Sequence, residues 1–165
     1  HLSIGESMKR IIGAAVIAVA AFGGAGAFDD NTVRDDSGAI VEGGGLGAFA
    51  IQTGDCFNIP ADTDIVMSLE AVPCSQPHDA EAFFSFDLAD TAWPGDDTVG
   101  EDAWFGCYEP FGTYVGTVWD DSALDYWTLQ PTMESWQELD DREVTCALTS
   151  FDGSKLTGSM KASRR

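Results

Sequence analysis

The chain has 165 residues, with 28 Asp and Glu against 8 Lys and Arg, a formal net charge of -20 and an isoelectric point near 4.1. Most of the cations sit at Lys9-Arg10 and between Lys155 and Arg165, so no basic stripe exists to neutralise phosphates, which excludes nucleic-acid binding as a class. Acidity of this degree makes a solvated, self-repelling surface, and a docking face for cations or a basic partner is its specific alternative.

In chain order the first predicted element is the uncharged run from Ile11 to Phe28, with Lys9-Arg10 before it and Asp29-Asp30 after it. Its length is about the minimum for crossing a bilayer, and cations on the near side keep the amino terminus in the cytoplasm. Residues 1–10 are therefore expected to be a short cytoplasmic segment and 11–28 a transmembrane signal anchor in the cell membrane. All that follows is then extracytoplasmic. Ala25-Gly26-Ala27 also reads as a small-residue cleavage site, so a cleaved signal peptide and a secreted domain are the alternative. Residues 29–47 are acidic and then glycine-rich, with Gly43-Gly44-Gly45 near their end, and are expected to be a flexible linker with a reach of roughly 25 Å. Residues 48–165 then have the size of one domain.

Within that domain, Ala48 to Gln52 reads as a short strand running into a turn at Thr53-Gly54-Asp55-Cys56. Ile65 to Ala71 is a second strand, and Glu81 to Leu88, with Phe83, Phe84 and Phe86, a third that is buried. Trp93-Pro94-Gly95 breaks the chain. From Asp96 the pattern turns helical, with Val99, Ala103, Cys107 and Phe111 at intervals of four and acidic residues in the first turn. Leu124 to Gln130 is rich in β-formers, Pro131-Thr132 starts a short turn or helix that carries Trp136, and Val144 to Phe151 is the last strand. One main helix among short strands, without regular alternation, predicts an α+β fold with a small, mainly antiparallel sheet.

The four cysteines, Cys56, Cys74, Cys107 and Cys146, fall in what the anchor makes an oxidising space, so two disulfides are expected. Three connectivities are open. The favoured one joins Cys56 to Cys74 across a local loop and Cys107 to Cys146, stapling the helix onto the last strand. Zinc is the rival use, with His78 as a further ligand, but the close CxxC spacing of structural zinc sites is absent, so no metal and no cofactor are expected.

The densest polar constellation is Cys74-Ser75-Gln76-Pro77-His78-Asp79-Ala80-Glu81. His78 could exchange protons while Asp79 or Glu81 orients it, or His78 and Glu81 could hold a metal ion, which makes the three a candidate functional loop. The plainer reading is that His78 bonds backbone in the turn after Pro77 and locks the entry to the strand. Most of the five tryptophans should be core, but Trp119 with Asp120 and Asp121, and Trp136 before Glu138, suit an aromatic and acidic partner surface.

Gly54-Asp55-Cys56-Phe57, Val72-Pro73-Cys74, Pro77-His78-Asp79-Ala80-Glu81 and Cys107 ahead of Phe111 and Tyr114 together resemble the septum-formation domain family of high-GC Gram-positive bacteria. The closing stretch is similar to that family too, in Pro131-Thr132, Ser135-Trp136, Asp141-Arg142-Glu143-Val144-Thr145-Cys146-Ala147-Leu148 and Lys155-Leu156-Thr157-Gly158-Ser159. The resemblance runs from about Gly54 to Arg165. It implies a tethered or exported envelope protein linked to division, and it carries no catalytic residues over. The expectation is thus an interaction module that binds an envelope or division protein, or cell-wall glycan, and is not an enzyme. A hydrolase or metal-binding protein using His78, Asp79 and Glu81 is the alternative, with calcium binding at Asp120-Asp121 and Asp140-Asp141 a third reading.

Overall fold

The computed structural model describes the backbone of residues 15–17 and all of residues 30–61 and 66–165. The strands are β1 (Ala15–Ile17), β2 (Val33–Arg34), β3 (Ile40–Glu42), β4 (Gly44–Gly47), β5 (Cys56–Asn58), β6 (Ser68–Val72), β7 (Ala80–Asp87), β8 (Leu124–Pro131) and β9 (Glu143–Ser150). The helices are α1 (Asp96–Val115) and α2 (Met133–Leu139). Seven strands form one sheet in the order β1-β8-β9-β7-β5-β6-β4, while β2 and β3 make a separate hairpin. Every pairing in the sheet is antiparallel except β1 with β8. The α+β expectation holds, with two helices.

Strand alternation divides the interior in two. On one face Leu124, Tyr126, Val144, Cys146 and Leu148 meet α1, whose Val99, Ala103, Cys107, Phe111 and Val115 recur every four residues and are all fully buried. The opposite face of the same strands turns Trp127, Leu129 and Ala147 toward Phe57, Leu46, Leu69 and Ala48. Because both faces are covered, all eight residues of β8 are buried, the polar Asp125, Thr128 and Gln130 included. Asp96 and Asp97 lie in the first turn of α1, where negative charge favours the helix dipole. Thr132 and Ser135 close a reciprocal capping box at the start of α2.

Residues 33–47, expected as part of a flexible linker, belong to the fold instead. β4 pairs with β6 over Gly44↔Ala71 to Gly47↔Ser68, Leu46 is fully buried, and Arg34 makes a two-pronged ion pair with the buried carboxyl group of Asp55 at 2.6 and 2.8 Å. The glycines serve close approach here. A Cβ on Gly43 would lie 2.5 Å from the Ala71 carbonyl oxygen, and one on Gly44 would lie 2.2 Å from Asn31 Oδ1. With that edge taken by β4, Ala48–Ala50 forms a 3-10 turn in place of the expected strand, and Cys56–Asn58, read as the end of a turn, is a strand between β6 and β7.

Of the apolar run at 11–28, the structure describes only Ala15–Ile17, an extended segment beside Leu129–Pro131. The expected anchor otherwise lies outside the described residues, and among those no helix is long and apolar enough to cross a membrane.

Candidate functional site

Two disulfides, Cys56–Cys74 and Cys107–Cys146, staple the domain as the favoured connectivity expected. The first ties β5 to the loop after β6, and the second ties α1 to β9. In the loop-closure picture, spans of 18 and 39 residues contribute roughly 3 and 4 kcal/mol.

The Cys74-to-Glu81 constellation is built around the first staple and faces inward. Gly54 turns the chain at φ +97° and donates its N–H to the Ala82 carbonyl, so the Gly-Asp-Cys segment lies beside the start of β7. His78 and Glu81 are fully buried. His78 exchanges two backbone hydrogen bonds with Leu156, and its Nδ1 lies 2.8 Å from the Gln76 carbonyl oxygen. Glu81 Oε1 accepts from Tyr114 Oη at 2.6 Å and Ser159 Oγ at 2.5 Å, and Oε2 accepts from the Met160 N–H at 2.6 Å. Burial, and then the bond to Glu81, push the Tyr114 phenol well above its usual range. Asp79 points elsewhere, accepting from the Ile59 N–H and pairing with Lys155 at 2.7 Å.

These contacts join the two ends of the resemblance, Pro-His-Asp-Ala-Glu and Lys-Leu-Thr-Gly-Ser, into one buckle. The Gly158 N–H donates to the Cys74 carbonyl, and further on Ala162 and Arg164 donate to the Tyr114 and Val115 carbonyls. Those are unsatisfied acceptors at the end of α1, so the tail caps the helix and brings Lys161, Arg164 and Arg165 toward its negative pole. The plainer reading of His78 fits this geometry: it locks the strand entry. A substrate has no direct access to His78 or Glu81.

The aromatic half of the expected partner surface is core. Trp119 and Trp136 are 1% and 3% exposed. Trp119 packs edge-on to Trp104 and Tyr126, and its indole N–H donates to Asp125. Trp136 packs against Trp93 and lies under the Arg142 guanidinium, 3.8 Å from the ring centre. Asp120 and Asp121 stay at the surface, with Asp120 accepting from Tyr108 Oη.

The acidic surface has a shape that the sequence did not disclose. An open groove of about 410 Å³ runs between Phe49, Leu139 and the 140–143 turn, with Asp87 and Glu143 in its wall. Asp87 and Glu143 are directly opposed partners in the β7–β9 ladder, an unfavourable like-charge arrangement. Burial, and then the Asp87 charge, raise the Glu143 carboxyl above its usual range; burial likewise raises Asp141, against its bonds from Ser135 and the Glu143 N–H. Leu139 and Phe49 are 50% and 39% exposed at the rim. Asp87 and Glu143 were missed because each stands at a strand end, and only the pairing register brings them together.

An α+β domain with both disulfides and an inward buckle defines a small, covalently stapled module. Residues 53–164 match the septum formation family model, and the chain belongs to that family. The family description ties the chain to cell division and the cell envelope. No curated protein and no solved structure matches it.

Proposed function

We propose that this protein is an extracytoplasmic envelope module that works at or near the division septum by docking a partner and not by catalysis. The observation that carries the docking reading is the Asp87–Glu143 pair in the groove. Two like charges opposed across a strand pair destabilise the free domain, and a cationic group between them relieves that repulsion. The exposed Leu139 and Phe49 at the rim add apolar area that a docked partner would bury. A basic segment of an envelope or division protein fits this chemistry. Cell-wall glycan is the weaker choice, because the tryptophans that were to stack on sugars lie in the core.

Photocrosslinking in dividing cells tests the reading. A crosslinker at Leu139 should trap a discrete partner, one at the exposed Val118 should not, and Asp87→Asn with Glu143→Gln should abolish the adduct. Equal trapping at both positions would remove the basis for the groove. Imaging of the tagged full chain tests the septal part separately: uniform membrane signal through division contradicts it.

A further inference from the structure

Beneath the buckle, Cys56 Sγ, a ring nitrogen of His78 and a carboxyl oxygen of Glu81 all lie within 4.8 Å of one another, and all three residues are fully buried. His78 Nε2 has no hydrogen-bond partner among the described residues. Its Nδ1 faces the Gln76 carbonyl at 2.8 Å, and a carbonyl only accepts, so Nδ1 carries the ring proton and Nε2 presents a lone pair. Of the three, the His78 Nε2 lone pair alone is unsatisfied, since Glu81 receives three donors and the Cys56 sulfur is held in the disulfide. A buried acceptor without a partner is costly unless a donor or a cation reaches it.

We propose that, once the Cys56–Cys74 disulfide is reduced, Cys56, His78 and Glu81 bind a thiophilic divalent cation of the zinc type. The Nδ1-to-carbonyl bond is the outer support that metal-ligating histidines use to fix their tautomer. A carboxylate offers about four acceptor positions. Glu81 uses two on Oε1 and one on Oε2, which leaves one on Oε2 for a metal without releasing the tail. Cys74 is partly exposed, so a reductant can reach it, and the three buried side chains leave the fourth position of a tetrahedral set to water. Ligand atoms around tetrahedral zinc stand about 3.5 Å apart, so separations of up to 4.8 Å close by at most about 1.3 Å on binding.

The redox step needs a dithiol reductant. Its two thiols give two electrons and two protons to the Cys56–Cys74 bond, which becomes two thiols, and the reductant becomes a disulfide. Metal binding then displaces the thiol protons to solvent.

Co²⁺ titration of the full chain in detergent tests this. Cys74→Ser exposes the Cys56 thiol without any reductant. It should take up one equivalent of Co²⁺ with a thiolate-to-cobalt charge-transfer absorption that Zn²⁺ abolishes, while the disulfide-bonded parent shows none. Adding His78→Gln should weaken binding at least tenfold. Folded Cys74→Ser protein without the absorption, or one indifferent to His78→Gln, overturns the proposal. Should Cys74→Ser not fold, the parent is reduced with a dithiol, desalted and titrated alone and with His78→Gln, and the same two outcomes decide. Cys107 and Cys146 are both fully buried, and loss of the signal with His78→Gln separates this site from theirs.

Discussion

The buckle and the groove are both built from carboxyl groups on β7, and they differ in what surrounds them. Glu81, at the start of the strand, receives three donors from α1 and the carboxy-terminal tail. Asp87, at its end, faces another acid across the ladder. Between them the register of β7 against β9 shifts at Ala82/Phe84. The difference teaches that the most motif-rich part of the sequence organises the interior, while the surface with chemistry left to offer is assembled from strand ends that only the pairing register brings together.

The largest effect that would break this comparison is expected at the buckle. Glu81→Ala leaves Tyr114, Ser159 and the Met160 N–H without their acceptor and should lower the unfolding free energy by about 4 kcal/mol. Urea denaturation measures it, and a loss under about 1 kcal/mol would place Glu81 outside the stabilising network.

Next is Arg34→Ala, which leaves the Asp55 carboxyl group buried beside the Gln52 N–H without its guanidinium. A loss of about 3 kcal/mol is expected. If residues 33–47 were a spacer after all, this variant would melt like the parent.

The tyrosines sharpen the contrast through alkaline pH. Burial, reinforced by Glu81 for Tyr114 and by Asp125 for Tyr126, raises both phenols, and the bond to Asp120 raises Tyr108. A group raised in the folded state stabilises fully below its unfolded value and loses that contribution as pH climbs. Stability should therefore fall above about pH 10, by up to about 1.4 kcal/mol per pH unit for each buried tyrosine. Phenolate absorbance should appear together with unfolding; a separate step at the ordinary tyrosine value in folded protein would contradict the burial.

The smallest effect belongs to the groove and has the opposite sign from the buckle. Because Glu143 and Asp141 are held above the usual carboxyl range, their contribution is complete below the ordinary carboxyl values and is lost as pH rises through the raised ones. Glu143→Gln should stabilise the domain at neutral pH by roughly 0.5 kcal/mol and flatten that dependence. Thermal melting across mildly acidic pH checks this, and destabilisation by Glu143→Gln would show that the opposed acids do not repel.

Much of the fold was legible because its signals are local. The four-residue spacing of Val99, Ala103, Cys107 and Phe111 needs no partner to be read, nor does the β-rich run that became β8. Flexibility and close approach look alike in sequence at Gly43 and Gly44, and only Ala71 and Asn31 distinguish them. Arg34 with Asp55, and Glu81 with Ser159 and Met160, are long-range pairings without a periodic signal. Trp119 and Trp136 followed the general expectation for tryptophan and not the specific one, since nearby acids do not decide whether a ring faces water.

The central claim is that the motif residues clasp the carboxy-terminal tail, and hydrogen exchange at the tail amides tests it most directly. Leu156, Gly158, Met160, Ala162 and Arg164 each donate into the body of the domain, so their amides should exchange orders of magnitude more slowly than an open chain. In Glu81→Ala that protection should drop first at Met160. Exchange of these five amides at the open-chain rate in the parent protein would contradict the account.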